Sequence, residues 1–250
     1  MIRKIYLCED RPESILSAVY DAYRDPVPNR EIQLMLSDDA QLSLFQEQAY
    51  AESSYEKAEK VVTAIRRDLG PDTWEIVEGV LCAAPSDKAD VIFQLIRYGF
   101  IRKRDVSREL TVPAVMRAFE YNRKARGEAH LMLGFTRFDR IAEGLFLSKI
   151  GPVNDVLPLI MDHFSERLNT ENFVIYDEKR KKSGVHPAGF NWYFAEGELP
   201  RHVRQMRAAD PYERLFKTFF EAIAIREREN PLCQRTHCPL HFRTYMTEFM

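Results

Sequence analysis

An α+β fold with a small mixed sheet of about five strands follows from three features of this 250-residue chain. Strand-like segments occur before residue 40 and again after Gly134, the stretch from about 53 to 125 has helical spacing throughout, and the tail returns to helical spacing. With 45% hydrophobic residues the chain can bury a sizeable core. The expected organisation is one compact body over 1–205, with a helical insertion at about 53–125. A helical appendage at 206–250 is expected to pack on it.

The elements follow in order. Residues 4–8 (Lys-Ile-Tyr-Leu-Cys) read as a first strand, and 12–23 as an amphipathic helix with apolar positions 15, 16, 19, 20 and 23. Pro26 and Pro28 break that helix, and the alternation in 31–36 suits a half-buried strand, giving a β-α-β unit. Helices are expected at 54–69, 72–83, 86–98 and 112–127, punctuated by Gly70-Pro71 and Pro85 and capped at Asp72-Thr73 or Ser86-Asp87. Residues 144–150 read as a strand, 153–168 as a helix and 172–177 as a strand. The basic run Lys179 to Lys182, with Ser183-Gly184, is expected to turn the chain into a strand at 190–194. From Asp210 onward the spacing is helical, divided by Pro231 and Pro239. No repeat of fixed period and no low-complexity segment is present.

A net charge of −2 is neither the excess of a nucleic-acid coat nor the acidity of a solvating chain, so any phosphate contact depends on local clusters. No window approaches the ~20 apolar residues of a membrane span, and the N-terminus lacks a secretory apolar region, so a cytoplasmic protein without a membrane role is expected. Cys8, Cys82, Cys233 and Cys238 are too scattered for a disulfide framework, and reduced thiols are expected.

Two basic clusters are candidates for nucleic-acid binding. One comprises Arg117, Arg123, Lys124, Arg126, Arg137 and Arg140; the other comprises Lys179, Arg180, Lys181 and Lys182. On a helix Arg123, Arg126 and His130 fall near one edge, with Arg137 just beyond, where guanidinium groups would meet phosphates. The competing reading is a solvated face paired with Glu120 and Glu128. His130 and Glu128 are the candidate catalytic pair, because an imidazole titrates near neutral pH; otherwise His130 complements a helix end. Trp192, Tyr193 and Phe194 offer either core packing, the stronger reading, or a base-stacking platform to which Trp192 and Phe194 would contribute one face.

Cys233, His237, Cys238 and His241 are ligand types that suit zinc, but their spacing is wide and no further pair lies nearby; neither a metal nor a cofactor is assigned. The chain lacks a P-loop, a dinucleotide fingerprint, a His-Glu-x-x-His helix, a nucleophile elbow and an iron–sulfur Cys triplet.

The run Glu128 to Phe138 (Glu-Ala-His-Leu-Met-Leu-Gly-Phe-Thr-Arg-Phe), with 212–230, resembles the bacterial probable DNA metabolism protein family, whose core is a domain of unknown function. The likeness extends over Ile5-Tyr6, 16–23, Lys57-Ala58, Gly99-Phe100, Arg123-Lys124-Ala125, 155–159, His163-Phe164 and 174–177. The chain departs from the family at Cys8-Glu9-Asp10, where many relatives have an Asp-Gly turn, and at Pro239-Leu240-His241-Phe242-Arg243, where Pro-x-Arg-Tyr is usual. Members are typically encoded beside a DNA modification or repair radical SAM protein, and similar domains are joined to uracil-DNA glycosylase domains. The resemblance therefore implies a DNA repair or modification accessory, with DNA and the radical SAM protein as partners.

Three readings compete. The first is a DNA-binding adaptor acting through the basic clusters. The second is a nucleic-acid-processing enzyme acting on a base or nucleotide with His130 and Glu128. The third is a protein-binding subunit that uses the apolar stripe Leu215, Phe216, Phe219, Phe220 and Ile223.

Overall fold

The computed structural model describes residues 4–39, 46–201, 203, 215, 218, 219, 222 and 230–249. The chain divides into two compact units, Met1–Arg126 and Gly127–Met250. The C-terminal run from 206 to 229, with its apolar stripe and the expected boundary near 205, lies almost entirely outside the described residues.

The first unit opens with β1 (Lys4–Cys8), α1 (Pro12–Arg24) and β2 (Ile32–Leu36), the expected β-α-β unit. Pro12 starts α1, where its missing N–H has no intrahelical role, and Ile15, Leu16, Val19 and Ala22 bury one face. The alternation in β2 puts Ile32, Leu34 and Leu36 inside. A further strand, β3 (Glu47–Tyr50), completes a parallel sheet of order β2-β1-β3. It was not expected, because none of its four residues is buried.

Four helices follow at α2 (Tyr55–Asp68), α3 (Pro71–Leu81), α4 (Lys88–Arg102) and α5 (Pro113–Phe135). Ser54 caps α2, accepting from the Lys57 N–H. Gly70 joins α2 to α3 at φ +87°, a backbone conformation that side-chain-bearing residues rarely adopt. Ile65, Val77, Phe93, Leu95 and Ile96 form the centre of this unit's core. α5 runs eight residues past its expected end at 127, and the division between the units falls within it.

The second unit holds a five-stranded sheet of β4 (Asp139–Ala142), β5 (Leu145–Ile150), β6 (Asn172–Asp177), β7 (Lys182–His186) and β8 (Tyr193–Glu196), in that order. β5 and β6 are parallel, joined through α6 (Leu157–Arg167), and the other pairings are antiparallel. Ile150, Leu157, Ile160, Met161, Phe173 and Ile175 form the core on one face of the sheet, while Ile141, Leu147 and Tyr176 bury the other. The α+β expectation holds, with a second, three-stranded sheet added.

The expected turn through Lys182, Ser183 and Gly184 is corrected: those residues belong to β7, and the turn is confined to 178–181. Gly184 lets α6 pack closely on that strand: a Cβ there would lie 2.3 Å from Met161 Sδ, so a larger residue would require the Met161 side chain to shift. The final strand starts at Tyr193, so Phe190 and Trp192 precede it in a loop. Two short helices, α7 (Pro231–His237) and α8 (Leu240–Arg243), and a 3-10 turn at Thr247–Phe249 close the described chain.

Candidate functional site

In a parallel strand pair joined by a helix, both chains leave the sheet at the same edge, and ligands of open α/β sheets gather beyond those carboxyl ends. β5 and β6 leave theirs at Ile150 and Asp177, which are paired in register. The segments that follow, 151–156 and 178–181, are bound together by a dense polar network.

Glu128, near the C-terminal end of α5, is buried, and its carboxylate accepts three hydrogen bonds from the first segment. These come from Val153 N (2.7 Å), Asn154 N (2.7 Å) and Asn154 Nδ2 (2.6 Å). Asp177 is 0% exposed and organises the second segment. Its Oδ1 accepts from Lys179 N at 2.9 Å and Arg180 N at 3.2 Å, a side-chain-mediated turn, and its Oδ2 accepts from Arg180 Nη1 at 3.0 Å. The same guanidinium donates to the carbonyls of Pro152 and Val153, so Arg180 ties one segment to the other. Ile150 O accepts from Glu178 N at 3.0 Å, a further link.

Lys182 reaches Asp155 Oδ2 at 2.8 Å and lies 4.1 Å from the centre of the Phe194 ring. Asp155 Oδ1, Ser148 Oγ and Tyr176 OH are buried without a partner among the described residues. Tyr245 donates to Glu178 Oε2 at 3.2 Å, and burial, reinforced by that carboxylate, pushes its hydroxyl up to about 12. Gly151 makes room for this phenol, since a Cβ there would sit 2.4 Å from Tyr245 OH.

The network separates the two candidate catalytic residues. Glu128 is buried and holds three donors, whereas His130 is exposed and has no hydrogen bond among the described residues. Two residues along a helix subtend about 200°, so the two side chains point to opposite sides.

Most of the candidate phosphate-binding cations are engaged within the protein. Arg117 is paired with Asp87 and donates to Tyr121 OH at 3.2 Å. Arg126 donates to Glu78 at 2.9 Å and to Asn122 Oδ1 at 2.9 Å. Arg137 grips Glu248 through Nη2 at 2.7 Å and Nε at 3.2 Å, and also donates to the Gly134 carbonyl at the end of α5. Lys181 reaches Glu198 at 2.8 Å, while Arg180 and Lys182 belong to the network above. The side chains of Arg123, Lys124, Arg140 and Lys179 are exposed and have no hydrogen bond or ion pair among the described residues. Glu120 and Glu128, the expected partners of the arginine ridge, are not the carboxylates that these arginines use.

Among the described residues no three His, Cys, Asp or Glu side chains gather to hold a metal. Cys233 is exposed, and Cys238 lies 3.6 Å from Met246 Sδ. The aromatic triplet is only partly core: Trp192 packs against the α6 side and donates to Asp162 Oδ1 at 2.7 Å, while Tyr193 and Phe194 are exposed. No described helix is long and apolar enough to cross a membrane.

Asn154, Asp155 and Asp177 were absent from the sequence-derived candidates. Asp177 carried a local signal, an Asp directly before a basic turn, but the donors to Glu128 lie about 25 residues away and left none.

The fold and this polar edge define a two-unit α+β protein whose second unit contains a short parallel β-α-β element. The chain belongs to the family described as Domain of unknown function (DUF4130), whose model matches residues 86–248. No curated protein matches the chain.

Proposed function

We propose that this protein is a non-catalytic accessory of DNA repair or modification, which contacts DNA phosphates and works beside a radical SAM enzyme. The observation that carries the reading is the adjacent pair Arg123 and Lys124, both exposed on α5 and free of internal ion pairs among the described residues. Guanidinium and ammonium groups held on a helix and left unneutralised bind phosphate in a salt-dependent, sequence-independent way. Arg140 and Lys179 are similarly exposed on the second unit. The family resemblance supplies the DNA context and the radical SAM partner. The divergence of Glu128 and His130 favours a binding role over the alternative of base or nucleotide chemistry by that pair.

The test is fluorescence anisotropy with single- and double-stranded oligonucleotides across a salt series. Arg123→Glu with Lys124→Glu should lower affinity about tenfold or more and reduce the salt slope by about 2, one unit per lost phosphate contact. Unchanged affinity and slope would overturn the phosphate role of this pair. Retention of the radical SAM protein in a pull-down with no DNA binding at low salt would transfer the DNA contact to the partner.

A further inference from the structure

We infer that the cleft between α6 and the loop preceding β8 is a binding site for a guanidinium cation, an arginine side chain presented by a partner polypeptide. The cleft encloses about 790 Å³, is open to solvent, and lies wholly within the second unit. Its lining is rich in acceptors. Asp162 and Glu166 stand one turn apart on α6, and apart from His186 no described lining residue can carry a positive charge.

Three observations point to the ligand. First, Asp162 uses only Oδ1, toward the Trp192 indole at 2.7 Å, and the Glu166 carboxylate has no partner among the described residues. Like charges four residues apart on a helix repel, and a cation between them would relieve that repulsion. Second, His186 is 3% exposed and stacks on Phe173 with ring centres 4.7 Å apart. Its Nδ1 lies 3.0 Å from the Glu171 carbonyl, which can only accept, so Nδ1 carries a proton. In the neutral ring the other nitrogen is an acceptor, and it has no partner among the described residues.

Third, Phe190 is 74% exposed yet sits on a pinned loop. Ala188 N donates to Asn172 Oδ1 at 3.0 Å, Gly189 N to Asn169 O at 2.8 Å and Phe190 N to Pro187 O at 3.0 Å. A large exposed aromatic ring on a pinned backbone, lining one cleft with two carboxylates, is the setting in which a planar cation gains both stacking and charge-assisted hydrogen bonds. Guanidinium suits it better than ammonium, because its donors lie in a plane that can rest on a ring while reaching carboxylates at the edge. The same acidic lining opposes a phosphodiester. A partner polypeptide is favoured over a free small molecule because the cleft is open and Phe190 offers apolar surface beyond what one guanidinium covers.

The chain has two tryptophans, so the Trp192 indole N–H can be assigned in a ¹⁵N–¹H spectrum of the full chain by its loss in Trp192→Phe. Titration with the tripeptide acetyl-Gly-Arg-Gly-amide should move this signal saturably, and the citrulline analogue should not. Glu166→Gln and Phe190→Ala, both at exposed positions, should each weaken binding about three- to tenfold. An equal response to arginine and citrulline peptides, or none to either, would overturn the site. Methylguanidinium binding as tightly as the tripeptide would overturn the polypeptide as its source. A second experiment without Trp192, following the Gly189 amide, keeps the test independent of the reporter.

Discussion

The two units close the carboxyl edges of their parallel strands with opposite charges. Beyond β1 in the first unit, the buried ammonium of Lys88 (3% exposed) meets Asp10 at 2.5 Å and the carbonyls of Leu81 (3.1 Å) and Ala83 (2.8 Å). Three acceptors match the three donors of an ammonium, so that edge is complete. Beyond β5 and β6 in the second unit, the buried charges are the carboxylates of Glu128 and Asp177, and their partners are mainly backbone N–H groups of the departing segments. There the polar capacity is not used up: Ser148, Asp155 and Tyr176 each retain a buried oxygen without a partner among the described residues. A single flexible cation can satisfy a fixed set of carbonyls, whereas carboxylates that shape two loops leave neighbouring groups to find their own partners.

The sharpest way to break this comparison is to remove each central charge. Asp177→Ala should cost about 3–5 kcal/mol, because it strips two backbone donors and Arg180 of their acceptor in a fully buried position. Lys88→Met should cost less, about 2–3 kcal/mol, because methionine refills most of the volume and Asp10, which is half exposed, can return to water. Urea unfolding of the two variants checks the order. If Lys88→Met proved the more damaging, the complete edge and not the loop-shaping one would be the more strongly held.

A second test titrates a carboxylate in the first unit. Burial works against ionisation of Asp25, yet hydrogen bonds from Lys4 at 2.7 Å and Tyr6 at 2.6 Å prevail and hold its carboxyl down at about 2. A depressed carboxylate stabilises the fold above its unfolded value near 3.8, and that contribution is lost as pH falls through about 4 toward 2. Asp25→Asn should remove about 1–2 kcal/mol at pH 7 and flatten the acid limb of stability against pH. An acid limb identical to that of the unaltered chain would mean that Asp25 does not carry the acid sensitivity, and would turn attention to Asp105, whose carboxyl, again against desolvation, is also held below its usual range by hydrogen bonds from Ser107 and Thr73.

How much of this was legible follows from range. α1 was placed to within a residue because its buried face follows the period of 3.6, and β1 and β6 because each is a short, nearly continuous apolar run that is buried along most of its length. β3 was missed because Glu47, Gln48, Ala49 and Tyr50 lie at the sheet's edge with no buried side chain, and β4 because only Ile141 of its four residues is buried. The second sheet was invisible for a related reason, since strand partners are chosen by packing far along the chain. The basic clusters were visible as residues, but their partners were not: Arg137 finds Glu248 across 111 positions. Charge composition announces that cations exist; only the fold decides which of them remain available to a ligand.

Tyr176 gives the smallest and most discriminating test of the second unit's unused polar capacity. Its ring is fully buried against Ile141 and Leu147, and its hydroxyl has no partner among the described residues, so desolvation opposes the fold with no hydrogen bond from them to offset it. Removing that oxygen while keeping the ring should be neutral or stabilising by up to about 1 kcal/mol in Tyr176→Phe, where a hydrogen-bonded tyrosine would lose about as much. Thermal unfolding at fixed pH reads the sign. Stabilisation would mean that the buried oxygens are a cost the fold carries for a purpose other than its own stability, as expected for a strand edge kept polar for a ligand. Destabilisation would mean that this hydroxyl is held by an internal partner such as water, and the contrast between a complete edge and an incomplete one would narrow to Ser148 and Asp155.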